Sequence, residues 1–283
     1  MSKAKLLNPK QFRKMQLTEL DMLVEFDKVC RKNNIKYVLF GGSLLGAIRH
    51  QGFIPWDDDA DIGMLRQDYD EFKKVSSQMD PSICYFQDHD TDPEYRWGYG
   101  KLRRTNTTYV RVGQEHLKCK TGIFVDVFPM DDVPLTLWGQ IIQDFKLFLL
   151  RKVLWSEVAK KQSSGIVFVL YSLLSKINVE FVFRIYKEYA KLSENSSPNR
   201  VRCLSFPATG KLYKRNPLRE RYSMPKSWFL ERKEYTFEGK KFYGSKDYDT
   251  VLKYIYGDYM KIPPEKDRKQ HSPFSIIKFH DED

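Results

Sequence analysis

Between Pro55 and Met64 the chain reads PWDDDADIGM, which puts four carboxylates, Asp57, Asp58, Asp59 and Asp61, within five residues. Carboxylates this close repel one another and raise each other's pKa unless a cation neutralises them. A solvated acidic turn would carry the same charge, but these acids lie between Trp56 and the apolar positions Ala60, Ile62 and Met64. In an extended strand, residues two apart share a face, so Asp57, Asp59 and Asp61 are expected to point the same way. Oxygen ligands without His or Cys suit Mg²⁺ or Mn²⁺. The chain therefore needs a fold that presents a strand end to a hard cation.

The surrounding pattern supplies such a fold. Residues 8–33 carry a helical apolar stripe that ends at Asn33-Asn34, and residues 35–40 read as a buried strand running into Gly41-Gly42. A helix is expected over 43–50 with Ser43 as its N-cap, then a strand over 59–64 and a helix over 67–78. Gly41-Gly42-Ser43 thus marks a strand-to-helix junction, where bare backbone and unsatisfied helix N–H groups favour a phosphate. A GGS alone is a weak signal. Followed after 13 residues by the acidic block, it places a phosphate cradle and cation ligands at the ends of adjacent strands.

Residues 83–112, rich in Tyr, Thr and Arg, look like further strands, and residues 121–128, TGIFVDVF, form the clearest strand of all. Asp126 lies inside that apolar run, where an unpaired charge is costly. A metal ligand or general base would satisfy it, and so would a buried ion pair with Arg or Lys. Residues 134–193 read as two or three helices broken near Ser163-Ser164-Gly165, and 193–199 as a polar linker. The hairpin EYTFEGKKFYG and a helix over 248–256 follow. The expected organisation is a catalytic core over 1–133, a helical region over 134–198 and a C-terminal region, 199–283, that completes the catalytic domain.

Composition narrows the choice of class. With 48 Lys and Arg against 37 Asp and Glu, the formal charge of +11 attracts polyanions, whether nucleic acid, nucleotide phosphates or an anionic membrane. A basic nucleic-acid-binding module is one reading, but it gives no reason for embedded carboxylates. Cys30, Cys84, Cys119 and Cys203 have no zinc spacing and are too sparse for a disulfide scaffold. The first residues lack the apolar core of a signal peptide, so a cytoplasmic location is the default. The run IVFVLYSLL, residues 166–174, is too short to cross a membrane. It is read as a buried core helix in preference to a membrane-surface helix, although the basic and aromatic segments RKVLWSEVAKK and FRIYKEYAK beside it would suit a bilayer interface.

Four blocks, GGSLLGAIRHQGFIPWDDDADIGM, YGKLRRTNT, GIFVDVFPMDD and YGDYMKIPPEKDR, together resemble the LicD family, a branch of the polymerase-β-like nucleotidyltransferase superfamily. The first block is highly specific and the last only supportive. The resemblance implies an α+β fold, a mixed sheet flanked by helices with a helical insertion, and a divalent metal on Asp59 and Asp61 with Asp57 and Asp126 as further carboxylates. It also implies transfer of phosphocholine from CDP-choline to teichoic acid, lipopolysaccharide or capsule precursors; a peripheral position at the inner face of the plasma membrane is a separate expectation. Ribitol or glycerol phosphate from its CDP donor, or nucleotidyl transfer, are the alternatives.

In that scheme Asp59, Asp61 and Asp126 are catalytic, and Gly42 and Ser43 hold phosphate oxygens. Arg49, Lys101, Arg103 and Arg104 are candidate phosphate clamps, and Trp56, Trp97 and Tyr99 a candidate cage for a quaternary ammonium. His50, alone after a helix, reads as structural. A lipid-linked glycan acceptor would account for the basic surface and the apolar 141–185 stretch together.

Overall fold

The first helix is specified at its ends. The Asn8 side chain accepts from the Gln11 amide, the Gln11 side chain accepts from the Asn8 amide, and Pro9 occupies the first turn, where a missing N–H costs nothing. Asn34, at a φ of 54°, turns the chain out of the helix. A computed structural model describes residues 5–194, 199–207, 216–268 and 273–280. Its elements are α1 (Pro9–Lys32), β1 (Val38–Leu39), α2 (Gly41–Arg49), β2 (Asp61–Leu65), α3 (Arg66–Val75), β3 (Cys84–Gln87), β4 (Gly100–Arg104), β5 (Thr108–Arg111) and β6 (Phe124–Asp132). Three helices follow, α4 (Leu137–Gln162), α5 (Gly165–Leu174) and α6 (Val179–Glu194). Then come β7 (Arg200–Arg202), α7 (Leu218–Arg221), β8 (Met224–Pro225), α8 (Ser227–Leu230), β9 (Arg232–Phe237), β10 (Lys240–Ser245), α9 (Tyr248–Tyr256) and β11 (Phe274–Lys278).

The fold is α+β. Its main sheet runs β3-β4-β6-β2-β1-β10-β9, with β7 joined to β6 and β8 to β7. β2 lies parallel to β6 and β1 parallel to β10, and the other pairs are antiparallel. β5 and β11 form a separate ribbon. β6 is buried along all but its last residue because β4 and β2 flank it while α1, α3 and α6 pack against it. Phe26, Tyr37, Phe72 and Phe86 meet edge-on beneath the sheet, with centroids 4.7–5.4 Å apart. All four cysteines are free and buried.

Several elements differ from expectation. Only Val38–Leu39 of the 35–40 run is paired, and β2 begins at Asp61 rather than at 59, because its pairing to β6 starts at Asp61 and its pairing to β1 at Ile62. Asp57 to Asp59 therefore sit in the preceding loop, and strand alternation is not what gathers them. Helix α2 starts at Gly41 with Phe40 as N-cap. Ser43 is not the cap, because its hydroxyl accepts from the Asp61 amide at 2.8 Å. The 134–193 stretch does form three helices, with the break at Ser163-Ser164. Residues 195–198 of the expected linker lie outside the described residues.

The largest correction concerns α5. It contains no buried residue, and Ile166 is 86% exposed. It folds back on α4, its principal neighbour, so the sheet never reaches it.

One buried ion pair ties α3 to the sheet. The Arg66 guanidinium donates to both oxygens of Asp131, at 2.7 and 3.0 Å, and Asp131 is 1% exposed. Replacing Arg66 with Met strands that carboxylate and is expected to cost about 3 kcal/mol in urea denaturation. Adding Asp131→Leu should recover most of the loss, since the penalty lies in the orphaned charge.

Candidate active site

Strand register builds the site. Asp61 on β2 sits opposite Asp126 on β6, and Asp126 sits opposite Lys101 on β4. Three ionisable side chains thus line up across three adjacent strands, on a common face of the pleat. The Asp126 amide donates to Ala60 O at 2.9 Å, which draws the acidic loop onto the end of β6. One carboxylate oxygen from each of Asp59, Asp61 and Asp126 lies within 4.8 Å of the others, and Asp57, Asp58 and Asp59 form a second such group. The first set consists of oxygen donors alone and fits a hard divalent cation. Burial, then Asp59, Asp126 and Asp57, push the Asp61 carboxyl well above its ordinary value.

Helices α1 and α2 shape the loop from behind. Gln16 of α1 is buried and donates to Asp57 O at 3.0 Å and Ile54 O at 3.3 Å, fixing the backbone before the acids. Gly41 adopts a φ of +53°, and a Cβ there would stand 2.9 Å from Asp61 Oδ2. A Cβ on Gly42 would meet Asp57 Oδ2 at 2.3 Å, so the two glycines let the helix start press against two carboxylates. Glu19, also on α1, is buried beneath the cluster, and its Oε2 has no hydrogen-bond partner among the described residues. Composition and periodicity gave no hint of it, since it falls on the helical stripe among apolar neighbours.

The cations are distributed differently from expectation. Lys101 is buried and its ammonium ion-pairs with Asp126 Oδ1, which realises the ion-pair alternative for Asp126. Desolvation pushes Lys101 down to about 7 against the pull of Asp126, with Arg103 and Arg111 adding to the depression. Its ammonium also sits 3.3 Å from the Phe124 ring centroid. Arg103 donates to Gln87 Oε1 and Gly122 O, and Arg104 to Ser82 O and Ile83 O. None of these three lines the cleft that holds the acids: Lys101 is paired with Asp126, Arg103 with Gln87 and Gly122 O, and Arg104 with the backbone at 82–83. Ser43, its hydroxyl on Asp61 and its amide donating to Phe40 O, positions Asp61 and does not face the cleft.

That cleft, of about 720 Å³, is lined by Gly41, Gly42, Arg49, Asp57, Asp59, Asp61 and Asp126. Arg49 donates to Tyr259 O at 2.6 Å and to His50 Nε2 at 2.9 Å, so His50 is an acceptor that braces Arg49. Trp56 and Tyr99 line the cleft and Trp97 does not. Arg268 lies 5.0 Å over the Trp56 ring. The continuous aromatic wall is instead Tyr99, Phe128 and Phe206, with centroids 4.9–5.9 Å apart, and Phe40 beside them.

Arg111 and Lys261 also face the cleft and escaped the sequence reading. Arg111 Nη2 stands 3.8 Å from Asp59 Oδ2, and its buried Nε has no partner among the described residues. The block YGDYMKIPPEKDR was the available signal for this side, since Tyr256, Tyr259, Lys261 and Pro263 all reach the cleft.

The acidic centre thus lies at the ends of the parallel strands β2 and β6, beside a glycine-opened helix and within an aromatic cleft. Residues 34–153 match the family described as LicD/FKTN/FKRP, nucleotidyltransferase domain. The chain is 30% identical over 271 residues to the lipopolysaccharide cholinephosphotransferase LicD of Haemophilus influenzae, spanning 92% of this chain and 95% of that protein. It belongs to the LicD family. A segment of 34 residues is 56% identical to the ribitol 5-phosphate transferase FKRP of Homo sapiens, covering 12% of this chain and 7% of that protein. A protein of Rickettsia typhi is 42% identical over 66 residues, 23% of this chain and 21% of the other.

Burial and the charges of Asp59, Asp58, Asp57 and Asp61 push Glu19 well above the ordinary 4.5. A carboxyl with a higher pKa folded than unfolded contributes stability that is full below the unfolded value and is lost as pH rises toward the folded one. In chelator, Glu19→Gln should therefore gain on the wild type as pH rises from about 5 to 8, by at most about 1.4 kcal/mol per unit. Urea denaturation across that range checks it, and a pH-independent difference would contradict it.

Proposed function

We propose that this phosphotransferase moves phosphocholine from CDP-choline to a sugar hydroxyl of a cell-surface glycan precursor. The carrying observation is the carboxylate cluster Asp59, Asp61 and Asp126 opening into a cleft walled by Tyr99, Phe128 and Phe206. Stacked and edge-on aromatic rings suit a quaternary ammonium, which has no hydrogen bonds to satisfy. The likeness over nearly the whole chain to a lipopolysaccharide cholinephosphotransferase supports phosphocholine as the group moved.

Asp59, Asp61 and Asp126, with Asp57 beside them, would hold Mg²⁺ or Mn²⁺. A divalent ion there would neutralise the charge that develops on the pyrophosphate. The sugar oxygen attacks the phosphorus that bears choline, the bond from that phosphorus to the bridging oxygen breaks, and CMP departs with the electron pair. Asp126 accepts the hydroxyl proton, with Lys101 holding its other side and keeping the carboxylate oriented. Gly42 lets the donor phosphates approach the start of α2, and Arg111 and Arg49 offer guanidinium groups at the cleft wall. A second donor, ribitol phosphate on CDP, is favoured by the short match to FKRP and would make less use of the aromatic wall.

Asp59→Asn and Asp61→Asn should each lower turnover by about a thousandfold or more while leaving the folded circular dichroism spectrum unchanged. Product mass identifies the group transferred: addition of phosphocholine supports this reading, and addition of a nucleoside monophosphate replaces it with nucleotidyl transfer. Full activity of either variant in chelator would remove the metal scheme.

A further inference from the structure

Most of the large apolar side chains exposed among the described residues fall between Leu135 and Phe181, on α4, α5, the start of α6 and the turns beside them. They include Trp138 at 74%, Phe145 at 63% and Ile166 at 86% exposure. On α5 the five consecutive residues 166–170, Ile-Val-Phe-Val-Leu, are all exposed. Five consecutive positions span more than one turn, so the apolar surface encircles the helix and does not form a stripe. A protein partner covers one face of a helix. With one side of α5 against α4, the apolar residues on its other sides are left to an apolar medium.

Charge selects that medium. Residues 137–191 hold nine Lys and Arg against four Asp and Glu. Asp144 is spent internally on Arg151 and Arg202, and Glu157 on Lys160. Lys146, Lys161, Lys176, Arg184 and Lys191 are exposed and form no ion pair among the described residues. Apolar residues interleaved with unpaired cations and an exposed Trp match the interface of an anionic bilayer. No single helix is long and apolar enough to cross a membrane; α5 with α6 passes only as a pair bent by 73°. At 1.5 Å per residue, α5 is about 15 Å long, half a hydrocarbon core.

We infer that α5, with the exposed faces of α4 and α6, inserts into one leaflet of an anionic membrane and holds the protein at its surface. Helix α4 also contacts the segment that lines the cleft. Arg151 of α4 donates to Leu204 O, and Arg202 is held by Asp144, so α4 grips the segment that delivers Phe206 to the aromatic wall.

The test is flotation of the full chain, in chelator, with phosphatidylcholine vesicles with and without phosphatidylglycerol. Wild-type protein should float with the anionic vesicles at low salt, less so at high salt or without phosphatidylglycerol. The variant I166E/V169E/L173E, altered only on an exposed helix, should keep its circular dichroism and lose binding by about tenfold or more. K161E/K176E should weaken only the part that depends on phosphatidylglycerol. Absence of wild-type flotation with anionic vesicles would overturn the inference, as would unchanged flotation of the triple variant. So would a wild-type dimer, seen by sedimentation, that the triple variant dissolves and that does not bind vesicles.

Discussion

The row Lys101–Asp126–Asp61 across β4, β6 and β2 is the constraint on which the site depends. Two carboxylates on adjacent strands would ordinarily repel, and both are buried or shielded here. Lys101 opposes the charge from one side, within a sheet that leaves its ammonium little water. It does not extinguish the negative field. Burial and the neighbouring carboxylates push both Asp61 and Glu19 toward protonation. The same row explains why β6 must be central: only a strand with neighbours on both sides can present Asp126 to an acid and a base at once.

Phe124 shows how the fold supports the excess of positive charge behind that row. Lys101, Arg103 and Arg111 each lie within 5.3 Å of its ring. Three cations converge there, balanced by aromatic face, by Asp126 and, through Arg111, by Asp59. Arg111 is the member that also reaches the cleft, and so connects the buried charge network to whatever occupies the site.

Much of this was legible in the residues. The acids at 57–61, the glycine junction at 41–42 and the buried Asp126 declared themselves because each breaks an ordinary rule of burial or backbone. What misled was the assumption of regular strand alternation through Asp57 and Asp59. Those two are gathered by a loop braced from α1, and such bracing depends on contacts of Gln16 across about forty residues of chain. The basic cluster at 101–104 shows a related limit of sequence. Only the folded side chains reveal that Lys101, Arg103 and Arg104 already have partners in Asp126, Gln87 and the backbone at 82–83. The apolar run at 166–174 has the composition of a core helix, and composition cannot report that the sheet lies out of reach.

Calorimetric titration of CDP-choline, CDP-ribitol and CTP into the protein, with and without Mg²⁺, tests the central claim most directly. Binding of CDP-choline that requires Mg²⁺, exceeds that of the other two nucleotides and is abolished by Asp61→Asn is the predicted result. Nucleotide binding that is indifferent to Mg²⁺ and to Asp61 would contradict it, and would mean that the carboxylate row serves the sheet and not the donor.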